Sequence, residues 1–159
     1  MNQVKKMNRK ITFLILVVLA AVLSVTAASA VMQCLDITSS NMTIVDEPTD
    51  IPNKTVVSNL NATLCFDVSE LSDSEMDALK KLVDEDEINA TVMITINDLA
   101  GHTSFGFKPN VTSMTLDGDN LTMELSASQP STMHRETTDM EVDYFTFESK
   151  DLRFSGKPA

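Results

Sequence analysis

The chain has 159 residues, with 23 Asp or Glu against 12 Lys or Arg, a formal charge of −11. Every acidic residue follows Val31, while Lys5, Lys6, Arg9 and Lys10 precede it, so residues 31–159 keep eight cations against 23 acids, a net −15. Such a surface repels phosphate backbones and anionic headgroups, which excludes nucleic acid as a partner, and 129 residues make one domain rather than two.

The four cations lead into thirteen residues, Ile11 to Leu23, apolar but for Thr12, and then the small-residue tail Ser24 to Ala30. That is the layout of an export signal, with Ala28-Ser29-Ala30 as a small-x-small cleavage site before Val31. A membrane-spanning helix needs about 20 apolar residues, and the thirteen cover only about 20 Å of a core about 30 Å thick. A retained anchor would have to recruit Ser24, Thr26 and Ser29. Cleavage is therefore favoured over retention, in which case residues 11–30 would hold the chain in the membrane as an N-terminal hydrophobic helix. Both alternatives leave the cations in the cytoplasm and send the rest outside, secreted or at the cell surface. Lipid modification of Cys34 is disfavoured by the bulky polar Gln33 beside it. No second hydrophobic tail suggests a carboxyl-terminal anchor.

Outside, chemistry is oxidising, and the two cysteines, Cys34 and Cys65, are expected to form one disulfide. Asparagine is more informative. Residues 31–159 hold eight Asn, of which six begin Asn-x-Thr with no Pro between: Asn41, Asn53, Asn61, Asn89, Asn110 and Asn120. Ser and Thr fill 28 of the 129 positions, so chance supplies about one or two such N-glycosylation acceptor triplets rather than six. Turn-rich composition explains the abundance of Asn and Thr but not their pairing.

In chain order, Met42 to Val45 predicts a short strand. Asp46 to Asn53, with Pro48 and Pro52, predicts a loop. Val56–Leu60 and Thr63–Val68 follow as strands, the second with Leu64, Phe66 and Val68 alternating against polar neighbours. Ser72 and Glu75 form a capping box, Leu71 can staple onto Met76, and Met76, Leu79, Leu82 and Val83 share a face, predicting a helix over 72–83. It should end there, because Asp84 to Glu87 would stack four like charges at its negative pole. Ile88 to Ile96 alternates cleanly, with acceptor Asn89 on the polar side. A turn at Asp98 to Gly101 leads to a strand around Phe105 and Phe107. Val111–Leu116, the turn Asp117-Gly118-Asp119-Asn120, and Leu121–Leu125 form the plainest hairpin. Ser126 to Thr138, with Pro130, predicts a loop, and Glu141–Phe147 and Leu152–Phe154 close the series.

Short strands between turn signals, with one short helix, predict a mainly β domain: an antiparallel β-sandwich or half-barrel. Reactive groups are few. Asp98, His102 and Ser104 are neighbours in sequence, but a triad is a matter of geometry, and His134 has no obvious partner. Asp117, Asp119 and Asn120, or the run Asp84–Glu87, could offer oxygens to a hard cation, yet neither fits a calcium-loop pattern. No zinc spacing or phosphate loop occurs, so no cofactor is implied. The expectation is a non-enzymatic, glycosylated β-domain, domain 31–159 after leader 1–30. Its role would be structural or interactive, toward a surface protein or glycan. The alternatives are a carrier holding an apolar ligand among Phe105, Phe107, Phe145 and Phe147, and a small exported hydrolase.

Overall fold

A computed structural model describes residues 32–50, 56–98, 103–131 and 140–159, within a compact unit Met32–Ala159. The expected leader, Asn53, His102 and His134 lie outside the described residues. The elements are β1 (Gln33–Pro48), β2 (Val56–Asp67), α1 (Asp73–Val83), β3 (Thr91–Asp98), β4 (Thr103–Phe107), β5 (Asn110–Asp117), β6 (Asn120–Ser131), β7 (Met140–Glu148) and β8 (Arg153–Pro158).

All eight strands join one sheet in the order β4-β3-β7-β8-β1-β2-β6-β5, antiparallel except where β8 meets β1. The mainly β expectation holds, and of its two architectures the sheet takes the half-barrel, a curled open sheet. The connectivity explains the curl. β4 and β5 are the two outermost strands, yet only Lys108 and Pro109 separate them in sequence. So short a link reaches about 10 Å, so the sheet must bend until its edges approach there. The Gln129 side chain adds a tie across the opening, its Nε2 donating to the Gly106 carbonyl at 2.9 Å.

Curling gathers one face inward. Leu60, Ala62, Leu64 and Phe66 of β2, Val92, Ile94 and Ile96 of β3, Leu121, Met123 and Leu125 of β6, and Phe145 and Phe147 of β7 are buried by period-two alternation. At the centre, Phe66 lies 4.9 Å from Phe145 and 5.5 Å from Phe154, ring centre to ring centre, and Phe154 stacks on Phe147 at 5.0 Å. Phe105 and Phe107 are also buried.

The helix α1 contributes Leu79 and Leu82 to this core. Its capping box is present, with the Ser72 side chain accepting from the Glu75 amide and the Glu75 carboxylate accepting from the Ser72 amide at 2.8 Å. The helix ends at Val83 with Asp84 as C-cap, and Lys80 and Lys81 offset the acidic run beyond. Ser72→Ala should therefore lower stability by about 1 kcal/mol, read from the shift of the urea midpoint, with an unchanged midpoint counting against the cap.

Several strands differ from their predicted bounds: β2 joins the two segments expected as separate strands, and β8 runs on past Phe154 to Pro158. β1 runs well past Met42–Val45 in both directions. Its alternation breaks at a bulge between Ile37 and Ser39, which hides the continuity from a period-two reading. β3 begins at Thr91 rather than Ile88, because pairing with β7 starts at Glu148. β6 continues through Pro130 to Ser131, where the sequence predicts a loop. Beyond Ser126 it has left β5 behind and pairs only with β2, so an open side is there to receive a residue without an N–H.

The expected disulfide is absent: Cys34 and Cys65 are both free. The register gives the reason. Cys65 faces Ser39 across β1–β2, five residues along the strand from Cys34. At about 3.3 Å per residue the cysteines are roughly 15 Å apart, beyond the 7 Å limit for a bridge. A thiol assay on the native protein should count two groups. Cys34, exposed, should react at once, and Cys65, half-buried with its sulfur 3.7 Å from the Thr122 hydroxyl, more slowly. A count of zero would mean the pairing above is wrong.

Candidate functional site

Outward-pointing residues of β1, β2, β6 and β5 form one continuous face. Register assigns its rows: Thr43, Asn61, Ser126 and Asn110 in one, and Asn41, Thr63, Glu124 and Ser113 in the next. Ser39, Cys65, Thr122 and Thr115 make a third. Glu124 is the only charge in those three rows, on a domain of net −15. Acids gather at the end of the face instead, where Asp36, Asp67 and Asn120 align. Asp67 is held below the ordinary carboxylate range by hydrogen bonds from Ser69, the side chain first and then the backbone amide at 2.9 Å. Its contribution to stability is present above the unfolded value and lost as pH falls through the folded one.

Two acceptor triplets meet on this face. Asn41-Met42-Thr43 runs antiparallel to Asn61-Ala62-Thr63 so that Asn41 faces Thr63, Met42 faces Ala62, and Thr43 faces Asn61. The two acceptor asparagines are thus diagonal neighbours about 7–8 Å apart, projecting the same way. Asn110 stands two strands from Asn61 in its row, about 10 Å off. Asn120 opens β6 at the edge of the face, and Asn89 precedes β3 on the rim of an open polar groove lined by Asp77, Lys81, Glu148 and Lys150. All five described acceptors are exposed, whereas the two other described asparagines, Asn59 and Asn97, are half-buried. Asn97 has separate work, accepting from the Ser104 hydroxyl at 2.6 Å.

That bond occupies the serine of the sequence-adjacent trio, whose His102 lies outside the described residues. The candidate cation ligands Asp117, Asp119 and Asn120 close the β5–β6 hairpin. Gly118 takes the positive φ of +58° that the turn requires, and the Asp119 carbonyl accepts from the Val68 amide at 2.9 Å. Among the described residues no group of three or more His, Cys, Asp or Glu could hold a metal ion. No described helix is long and apolar enough to cross a membrane.

No family model, no curated protein and no solved structure matches the chain.

Sequence reasoning found the triplets and placed Asn89 alone on a strand face, which the structure moves to the connection before β3, and it missed the cross-strand facing of the Asn41 and Asn61 triplets. Only the β1–β2 register creates it, and no local signal in either triplet points to the other.

Proposed function

We propose that this chain is an exported, N-glycosylated β-domain of the cell surface or its surroundings, with a structural or interaction role. The observation that carries this reading is the exposure of every described acceptor asparagine, three of them in rows whose only charge is Glu124. Elsewhere the domain keeps itself hydrated with carboxylates, whereas glycan-covered rows have no need of them. The leader reading supplies access to the glycosylation machinery. The phenylalanines that a carrier would set around its ligand are buried, Phe145 and Phe147 in one cluster with Phe66 and Phe154, which favours a structural role over apolar-ligand carriage. Mass spectrometry of native material tests the proposal. Occupancy at several of the six triplets, with a mature N-terminus at Val31 or a retained leader, is the expected result, and uniformly bare asparagines would overturn it.

A further inference from the structure

We infer that Asn61 can receive a glycan only before the domain folds, whereas Asn89 remains open to modification afterwards. The inference rests on the acceptor reading above and asks when each site is usable. In the transfer, the Asn side-chain nitrogen attacks the anomeric carbon of an oligosaccharide carried on a lipid phosphate. The new N–C bond forms as the C–O bond to phosphate breaks, the amide proton is lost, and the lipid phosphate leaves. A transferase has to hold the backbone of all three triplet residues to do this.

Asn61-Ala62-Thr63 cannot offer that backbone in the folded sheet. Its three residues are paired on one side with Thr43, Met42 and Asn41, and on the other with Ser126, Leu125 and Glu124. Ala62, the middle residue, faces the core and is 5% exposed, between Leu60 and Leu64, both fully buried. Lifting the triplet out therefore breaks two ladders and uncovers core. Central strands open only with free energies close to that of global unfolding. Asn89 differs in its pairing, although Ala90 beside it is half-buried against the core. It lies in the connection between α1 and β3, outside any ladder, and only Thr91 of its triplet is paired, with Glu148. Asn41 and Asn110 are intermediate, each paired on a single side, since β8 covers β1 only from Gln33 to Ile37 and β5 is an edge strand.

The test is order of addition. The full chain is synthesised in a cell-free system with a detergent-solubilised oligosaccharyltransferase and lipid-phosphate-linked oligosaccharide, supplied either from the start or after folding is complete. Site occupancy is then read by mass spectrometry. Supplied from the start, Asn61 and Asn89 should be modified at similar rates. Supplied after folding, Asn89 should continue while Asn61 slows by at least about a hundredfold, a conservative figure for a two-sided strand in a stable domain. Transfer to Asn61 in the folded chain within a few fold of Asn89 would overturn the inference and leave the acceptor reading intact. No transfer to any triplet even during synthesis would overturn both.

Discussion

Phe66→Ala should destabilise the domain by about 3–5 kcal/mol, the cost of removing a fully buried ring whose neighbours cannot collapse into the space. The ring is 0% exposed and sits against Phe145 and Phe154, which are themselves fixed, Phe154 by its stack on Phe147. These rings come from β2, β7 and β8, so the loss falls where the two halves of the sheet meet. A domain of this size has about 5–15 kcal/mol in all, so the variant should melt about 10–20 °C lower or fail to stay folded. Phe66→Leu, which keeps most of the volume, should cost far less. A Phe66→Ala midpoint within about 1 kcal/mol of the parent would mean that the ring cluster is not the keystone of the core.

The second large effect should come from Gly156→Ala. A methyl at this position would lie 2.8 Å from Cε1 of Phe66 and 3.2 Å from Cγ1 of Ile37, inside any ordinary carbon contact. Phe66 has nowhere to retreat, for the reasons just given, and β8 cannot shift without loosening its pairing to both β7 and β1. Overpacking of this kind costs about 1–3 kcal/mol. The clash names its own partner, so the effect should be coupled. In a Phe66→Leu background, Gly156→Ala should cost less than in the parent by about 0.5–3 kcal/mol, the range for residues in contact. Strict additivity of the two changes would show that the ring does not rest on this glycine.

A milder outcome follows from Asp67. Asp67→Asn should flatten part of the stability loss below about pH 4, where a carboxylate held low by hydrogen bonds takes up its proton. An acid-unfolding curve unchanged by the substitution would remove Asp67 from the account.

How far these features could be read without coordinates varied with how local their causes are. The helix was legible from cap to end because cap, staple, apolar stripe and stop signal all lie within seventeen positions, Leu71 to Glu87. The second half of β2, and β3 from Thr91 onward, were legible because their alternation is unbroken. β1 was not, because its bulge shifts the phase and its outward side is a polar series with no turn-like break. β8 was read as ending at Phe154, although a glycine inside a strand is itself a sign of close backbone approach, and Gly156 had that meaning. The disulfide expectation failed because an even cysteine count says nothing of register. For the candidate site, the count of triplets and the outward aim of Asn89 were available from the sequence. The diagonal approach of Asn41 and Asn61 depends on two triplets twenty residues apart meeting in one phase, which pattern alone does not supply.

The parallel contact of β1 with β8 has a temporal side. Gln33 and Ser155 are hydrogen-bonded partners 122 residues apart, and every strand of the β4-β3-β7 wing reaches the rest of the sheet through β8. A chain made amino-end first must wait for that distant segment before its halves can be zipped together, and pairings of such long range form slowly. Truncation before Arg153 should leave two wings that no ladder joins, held by chain connections such as the β4–β5 link and by the Gln129 tie. In the intact chain, β8 is the last of the described strands to be made, so the ladders that join the wings close last.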